Sequence, residues 1–208
     1  MTPLFVDLTG KRVVIFGGGN VAARKAVFFS VNADVLVVSR SFSRTITALP
    51  VSRRELDVAL VSDTVLERIL HGAFIGVAAL SDREQNNRIG RICRDREILF
   101  NNANGERGDL IIPSASRGKH YTIAMSTDGE SPAVSRFVRE QIGAMFSHLD
   151  EMIVFQGILR QRLKAVEPSQ KRRSEILWDV LNDPSVWDAL GRSSTEAHEI
   201  VKRRYLHG

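Results

Sequence analysis

The sequence predicts an α/β fold, with an N-terminal parallel sheet flanked by helices and a small all-helical C-terminal domain. Three observations predict it. Between residues 1 and 110, short β-branched runs alternate with helical patterns, which implies right-handed βαβ crossovers. The first of these runs passes straight into three consecutive glycines. Past Pro113 the pattern changes, and from Ser131 onward only helices read.

Taken in order, Lys11 to Phe16 (KRVVIF) has the β-branched character of a strand buried on both faces, stopped by glycine. Residues 20–31 read as a helix, with Val21, Ala22, Lys25, Ala26 and Phe29 on neighbouring turns. Ala33 to Ser39 forms a second strand, 63–71 a short helix, and Ala73 to Leu80 a third strand ending at Ser81-Asp82. Residues 83–95 read as a helix and Ile98 to Asn101 as a fourth strand. Beyond Pro113, a polar turn (Ser116 to Lys119) precedes an alternating strand from Tyr121 to Ser126. Ser131-Pro132 then starts a helix, with serine as N-cap and proline at the first helical position. Asp183-Pro184 starts another in the same way, and Ser193 with Glu196 fits a capping box for the last.

Composition sets the bounds. A chain of 208 residues with 43% hydrophobic and 25% charged residues is ordinary for a globular protein. Cys93 is the single cysteine, so no intramolecular disulfide forms, which fits a reducing compartment. No apolar run approaches the roughly 18 residues of a membrane span, and Met1 to Phe5 lacks the pattern of a signal peptide. These readings predict a cytoplasmic protein with no membrane partner. The net charge of +5 suits either solubility or a polyanionic ligand. Its densest runs, Lys171-Arg172-Arg173 and Lys202-Arg203-Arg204, fall in predicted surface helices without interleaved aromatics, so no nucleic-acid partner is expected.

The motif with chemistry in it is Gly17-Gly18-Gly19-Asn20-Val21-Ala22, between a predicted strand and a predicted helix. It reads G-x-G-x-x-A, the dinucleotide fingerprint of a Rossmann-type domain. Gly17 permits the tight turn, Gly19 lets a pyrophosphate approach the backbone, and Ala22 lets helix and strand pack closely. The phosphates then meet free N–H groups at the helix start. The second strand ends in Ser39-Arg40 without the usual ribose-binding acid. Arg40 would favour a 2′-phosphate, hence NADP, whereas Ser39 would hydrogen-bond the ribose of NAD.

At this point the sequence resembles a known family. The opening PLFVDLTGKRVVIFGGGNVAARKA is similar to the siroheme synthase N-terminal family, the precorrin-2 dehydrogenases, some of which are also sirohydrochlorin ferrochelatases. VAALSDREQNN resembles that family's strand ending in a small residue and Asp, here Ser81 and Asp82, before a helix bearing Asn87. ILFNNANGERGDLIIPS and YTIAMSTDGESPAVSRFVRE resemble two further segments, in order and spacing, and the likeness extends over about residues 3–145. The resemblance implies binding of NAD, hydride removal from the tetrapyrrole precorrin-2 to give sirohydrochlorin, and in bifunctional members insertion of Fe²⁺, there a substrate. It implies a homodimer and three regions: a cofactor domain over 1–112, a dimerisation and substrate region over 113–146, and a helical domain over 147–208.

The family assigns its central role to an aspartate in the loop after the fourth strand. That position falls on Asn104, and an amide is no carboxylate base. Glu106 and Asp109 lie nearby in the same loop; Asp128 and Glu130 stand where small residues are usual, and these two either supply the missing carboxylate or only cap the following helix through its dipole. Candidate catalytic residues are therefore Asn104, Asp109, His120 and Asp128. Precorrin-2 carries eight carboxylates, so Ser114, Arg117, Lys119, Ser126, Thr127, Arg136 and Arg139 are candidate substrate contacts. The five histidines show no metal-ligand spacing, and Cys93 reads as packing. Asn104 also keeps a second reading alive, a non-catalytic NAD(H) sensor acting through the basic helical tail.

Overall fold

The computed structural model describes residues 1–206. The chain divides into two compact units between Ile112 and Pro113.

The first unit is built on a parallel sheet of five strands, β1 (Arg12–Phe16), β2 (Asp34–Ser39), β3 (Ser52–Glu55), β4 (Ala73–Ala78) and β5 (Leu99–Asn102), in the order β3-β2-β1-β4-β5. The helices are α1 (Asn20–Phe29), α2 (Arg44–Ala48), α3 (Asp63–Leu70) and α4 (Arg83–Asp95). Side chains alternate across the central strand: Val13 and Ile15 meet α1 and α2, while Val14 and Phe16 meet α3 and α4. Both faces are dry, which is why these strands read as continuous apolar runs. The strand order reverses between β1 and β4, so a crevice opens at their carboxyl ends.

The predicted strands and helices of this unit all form, within two residues of their expected limits. The segment between β2 and α3 is a correction, because α2, β3 and a 3₁₀ turn at Val58–Leu60 lie where no element was expected. Strand β3 (SRRE) is exposed along its whole length at the sheet edge, so it carries no hydrophobic signal. Val21 is also a correction, since it lies on the outer side of α1, 40% exposed.

The second unit starts with a hairpin, β6 (Ser114–Arg117) antiparallel to β7 (Thr122–Met125). Helices α5 (Pro132–Met145), α6 (Leu149–Val166), α7 (Gln170–Leu181), α8 (Pro184–Leu190) and α9 (Ser194–Tyr205) follow. The predicted polar turn at 116–119 is thus partly strand, the turn itself lying at Gly118 to Tyr121. Met152, Phe155, Leu159 and Leu163 recur at helical spacing on α6 and close a core with α7, α8 and α9. Asp150, at the start of α6, accepts the backbone N–H groups of Lys119 (2.9 Å) and His120 (2.7 Å), tying the hairpin turn to the helices.

The caps predicted at Ser131 and Asp183 form, each side chain accepting a backbone N–H of its helix's first turn. The capping box at Ser193 is only half made. Ser193 accepts from the Thr195 N–H, but Glu196 is held instead by Arg192. The reason lies in the backbone, because the Ser193 N–H that Glu196 would accept already donates to the Ala189 carbonyl.

Candidate functional site

The site is built first by the glycine turn. Gly17 has φ +128°, and a Cβ there would sit 2.5 Å from the Ala79 carbonyl oxygen. Only glycine can make this turn while its N–H donates to the Val38 carbonyl at 2.9 Å. Gly19 is the N-cap of α1, with no side-chain cap and no acid in the first turn. A Cβ on Gly19 would meet nothing within 4 Å. The helix therefore presents its first amides, from Asn20 onward, to open space at its positive end. Ala22 is fully buried, as close packing of α1 on β1 requires. This geometry fits the pyrophosphate of a dinucleotide: a cradle without side chains, walled by backbone donors.

The carboxyl end of β2 has beside it an acid that the sequence did not reveal. Arg40 lies 3.6 Å from Asp57, the residue that N-caps the 3₁₀ turn after β3. Because β3 pairs with β2, with Ser39 opposite Glu55, Asp57 is carried to the end of β2. Arg40, whose side chain is 78% exposed, thus has a carboxylate beside it. Ser39 lies under Gly18, its hydroxyl 2.7 Å from where a Cβ would stand.

The carboxyl ends of β4 and β5 are organised by amides from α4. Asn86 is fully buried, accepting from the Leu80 N–H (3.0 Å) and donating to the carbonyls of Leu80 (3.0 Å) and Asn104 (2.9 Å). Asn87 accepts from the Asn102 amide (3.2 Å) and from the Glu106 N–H (2.9 Å). Asn102 in turn accepts from the Asn104 N–H at 3.1 Å. The loop bearing Asn104 is thus held to the loop bearing Ser81 and Asp82. Asp82 N-caps α4, accepting from Glu84 and Gln85, while Ser81 is exposed.

Asp109 is engaged elsewhere. Its carboxylate accepts the Phe100 N–H at 3.1 Å, closing the free edge of β5. Lys25 reaches Asn101 at 2.6 Å, and Asn101 donates to the Leu110 carbonyl, so α1, β5 and the chain leaving β5 are tied together. Burial pushes the Lys25 ammonium below its ordinary pKa, with Arg24 adding to the effect. Burial likewise pushes the Cys93 thiol up to about 12, so it is inert packing in the core.

In the second unit, Ser126 and Thr127 shape their own loop. The Ser126 hydroxyl accepts the Asp128 N–H (3.0 Å), and the Thr127 hydroxyl accepts the Ser131 N–H (3.1 Å). Asp128 has φ +54° beside Gly129, so it is a turn residue, and the cap of α5 belongs to Ser131 rather than to Asp128 or Glu130. Ser114 begins β6 opposite Met125, and Arg117 ends that strand. Lys119 and His120 line a shallow groove with Asp150 and Phe155. Hydrogen bonds from Lys119 and His120 hold the Asp150 carboxyl below its usual range. Arg136 pairs with Glu140 at 2.7 Å, and Arg139 lies 3.6 Å from the same carboxylate. Among the described residues, no group of three or more His, Cys, Asp or Glu side chains could hold a metal ion, and no helix is long and apolar enough to cross a membrane.

Sequence reasoning missed Asn86, Asn102 and Asp57. The amides had a faint signal in NN pairs, at 86–87 and 101–102. Asp57 had none, because only the pairing of β3 places it.

Comparison with known proteins adds to this geometry. A family model described as "Putative NAD(P)-binding" matches residues 4–114. The precorrin-2 dehydrogenase of Methanosarcina barkeri is 40% identical over 95% of this chain and 90% of its own length. The siroheme synthases of Actinobacillus succinogenes and Photobacterium profundum are 29% and 28% identical. This chain spans only 41% and 43% of their lengths. Among solved structures, the precorrin-2 dehydrogenase SirC aligns with a TM-score of 0.70 at 24% identity, over 98% of this chain and all of the other, and so shares the fold.

Proposed function

The chain belongs to the NAD(P)-binding family and, with a 40% identical relative along nearly its whole length, to the precorrin-2 dehydrogenases, and from that premise we propose its reaction. It removes a hydride and a proton from precorrin-2 and yields sirohydrochlorin, a step in siroheme biosynthesis. The observation that carries this reading is the open cradle over Gly19 at the crevice between β1 and β4, in a chain related over 95% of its length to a dehydrogenase of that substrate. The sensor reading draws support from neither the relatives nor the structure.

NAD⁺, when bound, accepts the hydride. The chain does the rest. The first amides of α1 bind the pyrophosphate, and Gly17 sets the turn that aims them. Asp57, beside Arg40, accepts from a ribose hydroxyl, which favours NAD over NADP. Asn86 and Asn87 fix the 102–106 loop, so Asn104 is a positioned amide that hydrogen-bonds the substrate and takes no proton. In the second unit Ser114, Arg117, Lys119, His120, Ser126, Thr127 and Arg136 are the proposed donors for the substrate's carboxylates. Ser126 accepts with its oxygen inside the loop and so keeps its O–H for the substrate, whereas the Thr127 hydroxyl also pairs with the Ser135 hydroxyl at 3.3 Å and would exchange that partner for the substrate.

Dehydrogenation needs orientation more than acid–base help, so the amide at 104 is compatible with it. Ferrochelation requires two pyrrole protons to leave, and Fe²⁺ insertion by this chain is expected to be weak. The enzyme acts in the cytoplasm as a homodimer, the dimer being supported by the bare apolar face of α5: Val134, Phe137 and Met145.

The test follows precorrin-2 anaerobically by absorbance, with NAD⁺, then NADP⁺, then Fe²⁺. Sirohydrochlorin is expected with NAD⁺, and siroheme no faster than without enzyme. Absence of oxidation with either nucleotide would overturn the dehydrogenase.

A further inference from the structure

Asn104 is followed by Gly105, the single Asn-Gly pair in the sequence. Both residues are exposed. We propose that this pair is a spontaneous deamidation site, prepared by its loop, that turns the amide at the carboxyl end of β5 into a carboxylate.

The chemistry is internal. The Gly105 backbone nitrogen loses its proton and attacks the Asn104 Cγ. The C–N bond to the side-chain amide breaks, ammonia leaves, and a five-membered succinimide forms. Water then opens the ring at one carbonyl or the other, giving aspartate or isoaspartate. One water is consumed, one ammonia is released, and nothing is oxidised or reduced.

Three features of the loop favour the attack. The fold demands glycine at 105, where φ is +145° and a Cβ would run into the Asn87 and Asn102 side chains. The attacking nitrogen is therefore followed by no side chain that could shield it. Next, neither the Gly105 N–H nor the Asn104 side chain has a hydrogen-bond partner among the described residues. The flanking amides are held, by contrast: Asn104 N–H by Asn102 at 3.1 Å, and Glu106 N–H by Asn87 at 2.9 Å. The reacting pair is free inside a fixed frame.

The third feature is electronic. When Gly105 nitrogen loses its proton, the negative charge spreads over the 104–105 peptide and onto the Asn104 carbonyl oxygen. That oxygen already accepts from the Asn86 amide at 2.9 Å, and Asn86 is fully buried, so its donor is fixed in place. A preorganised donor on a developing oxyanion lowers the barrier to forming it. Other asparagines lack this combination. Asn101 is buried and engaged by Lys25, and the Asn182 amide donates to Trp178 and precedes an aspartate.

The product differs from the parent in kind. A carboxylate at 104 accepts a proton and attracts a cation, and the amide does neither.

The full-length chain is incubated at neutral pH, digested and weighed, in parallel with the same chain unfolded in urea. The peptide containing 104 is expected to gain one mass unit with time, faster at higher pH, with isoaspartate beside aspartate. The folded chain is expected to react at least as fast as the unfolded one. N104Q is expected to abolish the gain in that peptide. A folded rate more than tenfold below the unfolded rate would show that the loop protects Asn104, and would overturn the proposal. The readout is mass, so it stands apart from any failure of the dehydrogenase assay.

Discussion

The first unit covers both faces of its sheet, whereas α5 of the second leaves an apolar face bare. In the first, fully buried residues from alternate positions of β1, β2 and β4 meet helices on either side. In the second, the only buried residue of the fourteen in α5 is Ser135, while Phe137 is 60% and Met145 73% exposed. A two-stranded hairpin is marginal by itself. The contrast separates a region whose core is internal from one that needs a cover, and it predicts where substitutions will act on stability and where on assembly or ligand.

The largest effect falls on the closed unit. Gly17→Ala forces a Cβ to 2.5 Å from the Ala79 carbonyl at a φ of +128°, and is expected to cost roughly 3 kcal/mol in urea unfolding. Gly19→Ala, two residues away, points into open space. It is expected to leave the Tm unchanged and to weaken NAD binding at least tenfold by calorimetry. Equal loss of stability in both variants would erase the distinction between turn and cradle.

Asn86→Ala comes next. It leaves the Leu80 N–H and two carbonyls without their partner, for an expected loss of roughly 2 kcal/mol. NAD-dependent turnover should fall more than stability does, because the 79–82 and 102–106 loops come loose together. Turnover unchanged in the variant would show that these loops do not position substrate.

The open region is tested by Phe137→Glu and Met145→Glu. Neither side chain is buried within the chain, so unfolding of the isolated protomer should shift by less than about 0.5 kcal/mol. Self-association measured by sedimentation should weaken at least tenfold, about 1.4 kcal/mol. Unchanged sedimentation would mean that the bare face of α5 is not where two copies meet.

How much of this was legible in the sequence follows the same division. The strands and helices of the first unit read clearly because both faces of the sheet are dry and each strand is a β-branched run. The glycine fingerprint was legible because its physics is local: one tight turn, one bare approach, one close packing. Strand β3 was not, since SRRE at an exposed edge is paired by backbone alone. With β3 unseen, Asp57 could not be placed beside Arg40, and the ribose region read as lacking an acid. Asn86 was illegible for another reason. Its value lies in three partners on two loops, 6 and 18 residues away, and such convergence has no periodicity. Glu196 had the right spacing for a capping box, but Arg192 and the Ala189 carbonyl compete for the same groups.

The helical core of the second unit offers the smallest test, and it is one of pH. Asp183 is 7% exposed, between α7 and α8. Burial alone would raise its pKa. Hydrogen bonds from Arg204 (2.6 Å), Tyr205 (3.0 Å) and Ser185 outweigh burial, and the carboxyl is held below its ordinary value. A carboxylate whose pKa is lower folded than unfolded stabilises the native state above the unfolded value, near 4, and loses that contribution as pH falls through the folded one. Stability of the native chain should therefore fall with acidification below about pH 4. Asp183→Asn keeps a helix-capping oxygen but removes the negative charge that pairs with Arg204. It should cost about 1 kcal/mol at neutral pH and flatten the acid limb of the curve. Parallel acid limbs in the two proteins would show that Asp183 titrates alike folded and unfolded, and that the closed helical core is held by its apolar residues alone.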